Sequence, residues 1–301
     1  MPNTTTNNLQ ILPSWFRQEL PDMAKIREMK KDFRGSNLHT VCESALCPNL
    51  GECWGAGVAT FMILGEICTR ACRFCAVKAG RPQEVDADEP RKVAEAVKQL
   101  NLNYVVITSV ARDDLEDEGA EHFYQVIKAI RIISPKTKIE VLIPDFSNKE
   151  ASIKRLIEAK PEVVSHNIET VRCLSEYVRS KAVHDRSLDV LRNFKKFDSS
   201  IITKTSFMLG LGESHTDLEQ VMDELVAVGV DILTIGQYLK PTDLKRHIPI
   251  EKFYTPAEFK FYKELGMSKG FKYVQSGPKV RSSFIAEEGY KECMKILQTV
   301  S

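Results

Sequence analysis

Three cysteines, Cys68, Cys72 and Cys75, stand in the spacing C-x3-C-x2-C. Three thiolates on so short a loop can hold three irons of a 4Fe–4S cube and leave the fourth iron open. An open iron can be chelated by an amino acid's amino and carboxylate groups, as in S-adenosylmethionine. One electron from the cube can then break the sulfonium C–S bond and release a radical that attacks unactivated C–H bonds, so the cofactor carries the difficult chemistry and the protein holds it. Phe74, just before the third cysteine, can pack beside an adenine. A structural zinc loop is the competing account, but zinc prefers four protein ligands and paired C-x2-C spacing.

A second triplet, Cys42, Cys47 and Cys53, has the spacing C-x4-C-x5-C. Alone it is ambiguous: zinc with His39 as fourth ligand, or a second iron–sulfur cluster completed by a non-cysteine ligand. Six of the eight cysteines fall in these two groups, while Cys173 and Cys293 stand apart and read as packed or incidental thiols. Clustered cysteines in a reducing compartment are more often metal ligands than disulfides. The first ten residues are Asn/Thr-rich, with no basic segment followed by an apolar one, and no apolar run is long enough to span a bilayer. The expected location is cytoplasmic. With 42 basic and 41 acidic side chains the formal net charge is +1, so nothing points to nucleic acid or an anionic membrane as a partner.

Something must carry these loops. From residue 59 onward, short β-rich runs (61–64, 104–108, 139–143, 162–165, 201–207, 231–235) alternate with helix-patterned stretches (89–100, 119–133, 149–159, 187–197, 216–228, 256–268). Runs such as Tyr-Val-Val-Ile-Thr are nearly continuously apolar, as a parallel sheet covered by helices requires. Six β/α units in a row predict an α/β fold, a partial (β/α)6 TIM-like barrel. Chemistry in such folds sits on the loops after the strands. Those positions hold the cysteine loop, Thr108-Ser109, Pro144-Asp145, His166-Asn167, residues 210–213 and Gln237-Tyr238. The expected division is an N-terminal cluster-binding extension (1–57), a barrel (58–270) and a short C-terminal extension (271–301).

The two triplets in this order, with Thr-Phe-Met-Ile-Leu-Gly between them, resemble lipoyl synthase, a family of radical S-adenosylmethionine enzymes. The likeness runs from about residue 13 to residue 286. It includes Ile-Thr-Ser-Val-Ala-Arg-Asp-Asp-Leu (107–115), Glu-Val-Leu-Ile-Pro-Asp-Phe (140–146) and His-Asn-Ile-Glu-Thr-Val (166–171). Met-Leu-Gly-Leu-Gly-Glu (208–213), Leu-Thr-Ile-Gly-Gln-Tyr-Leu (233–239) and Ser-Gly-Pro-Lys-Val-Arg-Ser-Ser-Phe (276–284) continue it.

The resemblance implies two 4Fe–4S clusters. Cys68, Cys72 and Cys75 would hold the radical-generating one, and Cys42, Cys47 and Cys53 an auxiliary one with Ser283 as fourth ligand. The family consumes the auxiliary cluster as sulfur donor, at C6 and then C8 of a protein-bound octanoyl chain, using two S-adenosylmethionine molecules per lipoyl group. Thr108, Ser109, Asn167, Glu169 and Lys204 become candidate contacts of S-adenosylmethionine, and Arg112 and Arg179 can pair with carboxylates of cofactor or substrate or with ordinary acidic neighbours. Expected partners are octanoylated lipoyl-carrier domains (2-oxoacid dehydrogenase E2 subunits, glycine cleavage H protein) and an electron donor such as flavodoxin or ferredoxin. The family usually has Tyr at the position of Phe284, leucine at Lys279 and Asp at Ala111, differences that touch substrate packing and no cluster ligand. A biotin synthase-like or methylthiolating radical enzyme is the alternative within this chemistry. A mildly basic region (Lys240, Lys245, Arg246, His247, Lys252) reads as a solvated face or a dock for an acidic carrier domain.

Overall fold

The computed structural model describes residues 12–16, 27, 38–44, 47, 49–50, 60–179 and 181–300. Cys53 lies outside them. Among the described residues ten strands appear: β1 (His39–Thr40), β2 (Thr60–Ile63), β3 (Ile67–Cys68), β4 (Lys78–Ala79), β5 (Tyr104–Ser109), β6 (Lys138–Leu142), β7 (Val163–Ser165), β8 (Ile202–Leu209), β9 (Ile232–Gln237) and β10 (Tyr273–Gly277). Eight form one sheet in the order β1-β2-β5-β6-β7-β8-β9-β10, while β3 and β4 pair separately. Every pairing in the large sheet is parallel except β1 with β2. The six expected strands are all present, and β10 adds a seventh parallel one beside β9.

The helices are α1 (Val41–Ser44), α2 (Glu89–Gln99), α3 (Ala120–Ile133), α4 (Glu150–Glu158), α5 (Ser175–Val178), α6 (His184–Phe197), α7 (His215–Ala227), α8 (Pro256–Lys269) and α9 (Ala286–Val300). Local chemistry sets several of their ends. Ser214 and Asp217 form a reciprocal capping box at the start of α7, as do Thr255 and Glu258 at α8, where Pro256 fills the first turn. The crossover helices and the sheet between them bury two large apolar clusters, one around Ile107, Phe123, Val141 and Phe146, the other around Phe207, Leu225, Leu233 and Phe259.

Helix α9 has a separate task. Cys293 is fully buried against Val163, Ile202 and Ile232, with Tyr273 and Leu297 packed around them. Those barrel residues open β7, β8, β9 and β10, and Tyr290 packs on Tyr104, which opens β5. The helix therefore covers the N-terminal mouth of the barrel. Function is left to the opposite end.

Asp231 anchors this lower rim. It bridges Lys195 on α6 and Lys272 before β10 at 2.5 and 2.8 Å and accepts the Thr203 N–H at 2.9 Å. Burial opposes its charge, but the hydrogen bonds from Lys195 and Lys272 outweigh it and hold the carboxyl below its ordinary range. A depressed carboxyl contributes stability above its unfolded value and loses it as pH falls. Asp231→Asn is expected to cost about 1–3 kcal/mol near neutrality. Denaturant melts across pH should show the gap to the parent closing in acid; a pH-independent gap would refute the charge-based account.

Candidate active site

Strand β2 delivers the cysteine loop through a strained exit. Leu64 and Gly65 both adopt left-handed backbone, at φ 66° and 89°. The Leu64 peptide is gripped from both sides: its N–H donates to Glu89 at 2.8 Å, and its carbonyl accepts from Arg112 at 3.3 Å. Glu89 is itself buried and bonded to His122 at 2.6 Å. A non-glycine residue holds such a conformation only where its surroundings over-determine it. Cys68 then pairs in parallel register with Ala79, which closes the cysteine loop at its base.

Within the loop the thiols meet backbone donors. Cys68 Sγ accepts from the N–H groups of Arg70 and Ala111 at 3.4 and 3.3 Å, and Cys75 Sγ from Val77 at 3.4 Å. Burial pushes the Cys72 thiol up to about 11 and the Cys75 thiol up to about 12. Binding a metal through these thiols displaces the protons they hold, which are released as the thiolates form. From the far side the loop is clasped by the segment after β9. His247 Nε2 lies 3.1 Å from the Cys75 carbonyl, and the Ile248 N–H donates to the Arg73 carbonyl at 3.3 Å. Among the described residues, no three His, Cys, Asp or Glu side chains are gathered as ligands of a single metal ion.

A cavity of 1180 Å³ opens above the C-terminal strand ends. Cys68, Cys72 and Cys75 line it, and so do Cys42, Cys47 and Ser283. The two distant segments are tied together: Asn49 Nδ2 donates to the Lys279 carbonyl at 2.5 Å across 230 residues of sequence. Cys47 is folded back on Cys42 by a 3.0 Å backbone bond from its N–H to the Cys42 carbonyl. Phe74, Thr108, Ser109, Asn167 and Glu169 line the same space.

Lys204 does not line it. Strand β8 continues to Leu209, so Lys204 sits a full layer below Ser206 and Met208, which do face the cavity. Its ammonium is 2.8 Å from Glu140, whose other oxygen accepts the Tyr104 hydroxyl at 2.7 Å. A buried charge so paired serves the barrel interior, not the rim.

The polar side of the cavity is partly unsatisfied. Glu169, at φ 66°, is bracketed by backbone bonds to Ser206 and Met208, and Asn167 Nδ2 donates to its carboxyl at 3.1 Å. Burial raises the Glu169 carboxyl, against the nearby Arg179 guanidinium. Asn167 Oδ1 and Ser109 Oγ are buried with no hydrogen-bond partner among the described residues. Buried polar atoms are seldom left so. They suit a ligand rich in amino and hydroxyl groups. Thr108 is already engaged with the Leu142 carbonyl at 2.9 Å. His166 donates through Nδ1 to the Ile143 carbonyl, so its Nε2 accepts from Ser187; burial holds it neutral, down to about 4. Arg70, in the middle of the cysteine loop, was not singled out from sequence, although a charged residue between ligand cysteines was a usable signal.

The Radical SAM superfamily model matches residues 62–225, and the model described as the N-terminal domain of lipoyl synthase of the Radical_SAM family matches residues 3–47. A lipoyl synthase from Caldicellulosiruptor saccharolyticus is 52% identical over 93% of this chain and 97% of its own length. Those of Rubrobacter xylanophilus and Bacillus mycoides are 52% and 53% identical, each over 92% of this chain and over 85% and 92% of their own. Among solved structures, Streptococcus suis SuiB bound to S-adenosylmethionine aligns with a TM-score of 0.56 at 14% identity, covering 85% of this chain and 61% of that one. Methylornithine synthase (PylB) gives 0.51 at 13%, covering 90% and 82%. At such identity these two speak for the fold alone, a mostly parallel partial barrel. The chain belongs to the lipoyl synthase family, and is thus a radical S-adenosylmethionine enzyme whose cofactors are a 4Fe–4S cluster and S-adenosylmethionine and whose substrate rides on a lipoyl-carrier protein.

Proposed function

We propose that the enzyme inserts two sulfur atoms, at C6 and C8, into an octanoyl-lysine on its carrier protein, and that two 4Fe–4S clusters share the cavity. Residues 58–270 supply the ligands of the radical cluster, Cys68, Cys72 and Cys75. The flanking segments, 1–57 and 271–301, supply those of the auxiliary cluster: Cys42, Cys47, Cys53 and Ser283. The observation that carries this reading is the convergence of Cys42, Cys47 and Ser283, from opposite ends of the chain, on the cavity that also receives Cys68, Cys72 and Cys75. When bound, these groups supply a hydrogen-abstracting radical and the sulfur to be transferred.

The protein's own part is to hold and to exclude. Asn167 and Ser109 offer unsatisfied polar atoms for S-adenosylmethionine and Glu169 a buried carboxyl, with Phe74 as its aromatic wall. Phe74 packs beside a cluster built on Val178, Tyr238 and Ile248. Leu142, Met208, Leu239 and Phe284 also line the cavity, an apolar wall suited to an alkyl chain and to keeping water away from a reactive carbon. A serine oxygen is a harder ligand than a thiolate, which suits an iron that must leave. The carriers we expect are 2-oxoacid dehydrogenase E2 subunits and the glycine cleavage H protein, with flavodoxin or ferredoxin as reductant, in the cytoplasm. Among the described residues no helix is long and apolar enough to cross a membrane.

Anaerobically prepared protein is expected to be brown, with about eight irons and eight labile sulfides per chain. Given octanoylated carrier protein, S-adenosylmethionine and a competent reductant, mass spectrometry should detect 6-thio-octanoyl and then lipoyl carrier. Colourless protein holding one or two zincs, or a fully reduced reaction with no thiolated carrier, would overturn the proposal.

A further inference from the structure

Between Cys68 and Cys72 the chain has almost no regular structure of its own, since β3 ends at Cys68. What fixes it is Arg70. The guanidinium donates from Nε and Nη2 to Asp113 at 2.9 and 2.6 Å, and from Nη2 to Asp145 at 2.7 Å. Asp145 follows β6 and is wholly buried; its second oxygen accepts from Arg186 on α6 at 2.9 Å. Asp113 follows β5 and is locked to the same loop twice more, by its N–H to Thr69 Oγ1 at 3.1 Å and by that hydroxyl to its carboxylate at 2.8 Å. The backbone N–H of Arg70 meanwhile donates to Cys68 Sγ. One residue thus grips a ligand sulfur with its main chain and two strand ends with its side chain.

Two carboxylates, Asp145 wholly buried and Asp113 at the surface, matched by two guanidiniums hold a fixed geometry that a flexible ammonium cannot copy, because only a planar fork can reach both acids at once. Groups that orient metal ligands govern how firmly the metal is held. We propose that Arg70 is a positioning residue of the radical cluster: forked over Asp113 and Asp145, it sets the spacing of Cys68 and Cys72 before iron arrives. The inference rests on the assignment of Cys68, Cys72 and Cys75 to that cluster.

The test is iron release from anaerobically reconstituted full-length protein to a ferrous chelator, with apo-protein melting measured alongside. Arg70→Lys keeps the charge and loses the fork; Arg70→Gln combined with Asp145→Asn removes one charge of each sign, in case the single change fails to fold. In both, the half of the iron that is absent from Cys72→Ala protein should leave about tenfold faster, and the other half at the parental rate. The low-temperature spin-resonance spectrum of the reduced protein should also lose part of its response to S-adenosylmethionine. Parental release in both variants would overturn the inference. So would acceleration of both halves together with a lower apo melting point, which is the mark of a merely structural role. If Cys72→Ala removes no distinct half of the iron from otherwise parental protein, the assignment of the triplet fails instead.

Discussion

Cys72→Ala is expected to abolish cleavage of S-adenosylmethionine while leaving about half of the parental iron, and Cys47→Ala to keep that cleavage with the other half of the iron. The two cysteines line one cavity, yet they belong to separately built supports. Cys72 stands on the loop closed by β3 and β4 and clasped by His247. Cys47 stands on a turn closed onto Cys42, joined to the far end of the chain through Asn49 and Lys279. Loss of one thiol therefore should not unmake the other nest. Cys72→Ala should lower both formation of 5′-deoxyadenosine and lipoyl product by at least about a thousandfold, over about 4 kcal/mol in the barrier. Cys47→Ala should retain 5′-deoxyadenosine formation and lose the thiolated product by a similar factor. Anaerobic single-turnover assays with both products quantified separate the cases. If each variant lost both products and all its iron, the picture of two independent nests would be wrong.

Gly236→Ala should strip the auxiliary cluster without touching a ligand. Gly236 lies in β9 opposite Gly277 of β10, and a Cβ on it would fall 2.0 Å from the Val280 carbonyl oxygen and 3.0 Å from its carbon. Both are backbone atoms, so no side-chain rotation can relieve the clash. The segment carrying Val280, Arg281, Ser282 and Ser283 must retreat from the barrel rim, and Ser283 with it. Overpacking of this kind costs about 1–3 kcal/mol, which a protein of this size survives. The expected result is a folded protein, melting a few degrees lower, with iron reduced by about half and no thiolated product. Gly80→Ala is the matched control, since its Cβ would meet Ile67 at an ordinary 3.4 Å. Full iron and parental turnover in Gly236→Ala would mean that Ser283 does not need this approach.

Both predictions depend on contacts of very different legibility. The cysteine triplets, the apolar strand runs and the rim positions after them are local features, and local features are what a sequence displays. Six strands and the six matching crossover helices could be read because burial on both faces forces continuous apolar runs. Strand β10, Tyr-Val-Gln-Ser-Gly, lacks such a run and buries fully only Val274, so it reads as part of a tail. Helix α9 likewise shows no sign of its target until the strand openings it covers are assembled.

Lys204 marks the boundary most clearly. Its type and its place in an expected strand suggested the rim, but β8 runs two residues past the expected end, and Lys204, on the same face as Ser206 and Met208, lies in the layer below them beside Glu140. The amino-acid sequence alone pointed to the class of chemistry, because residue type and spacing along a short loop are covalent facts. Which distant residues share the site was decided by tertiary structure: Ser283 in one cavity with Cys47, Arg70 over Asp145, Gly236 under Val280. Each joins residues distant in the chain, and the loop-closure entropy spent on bringing them together is recovered only in the folded core.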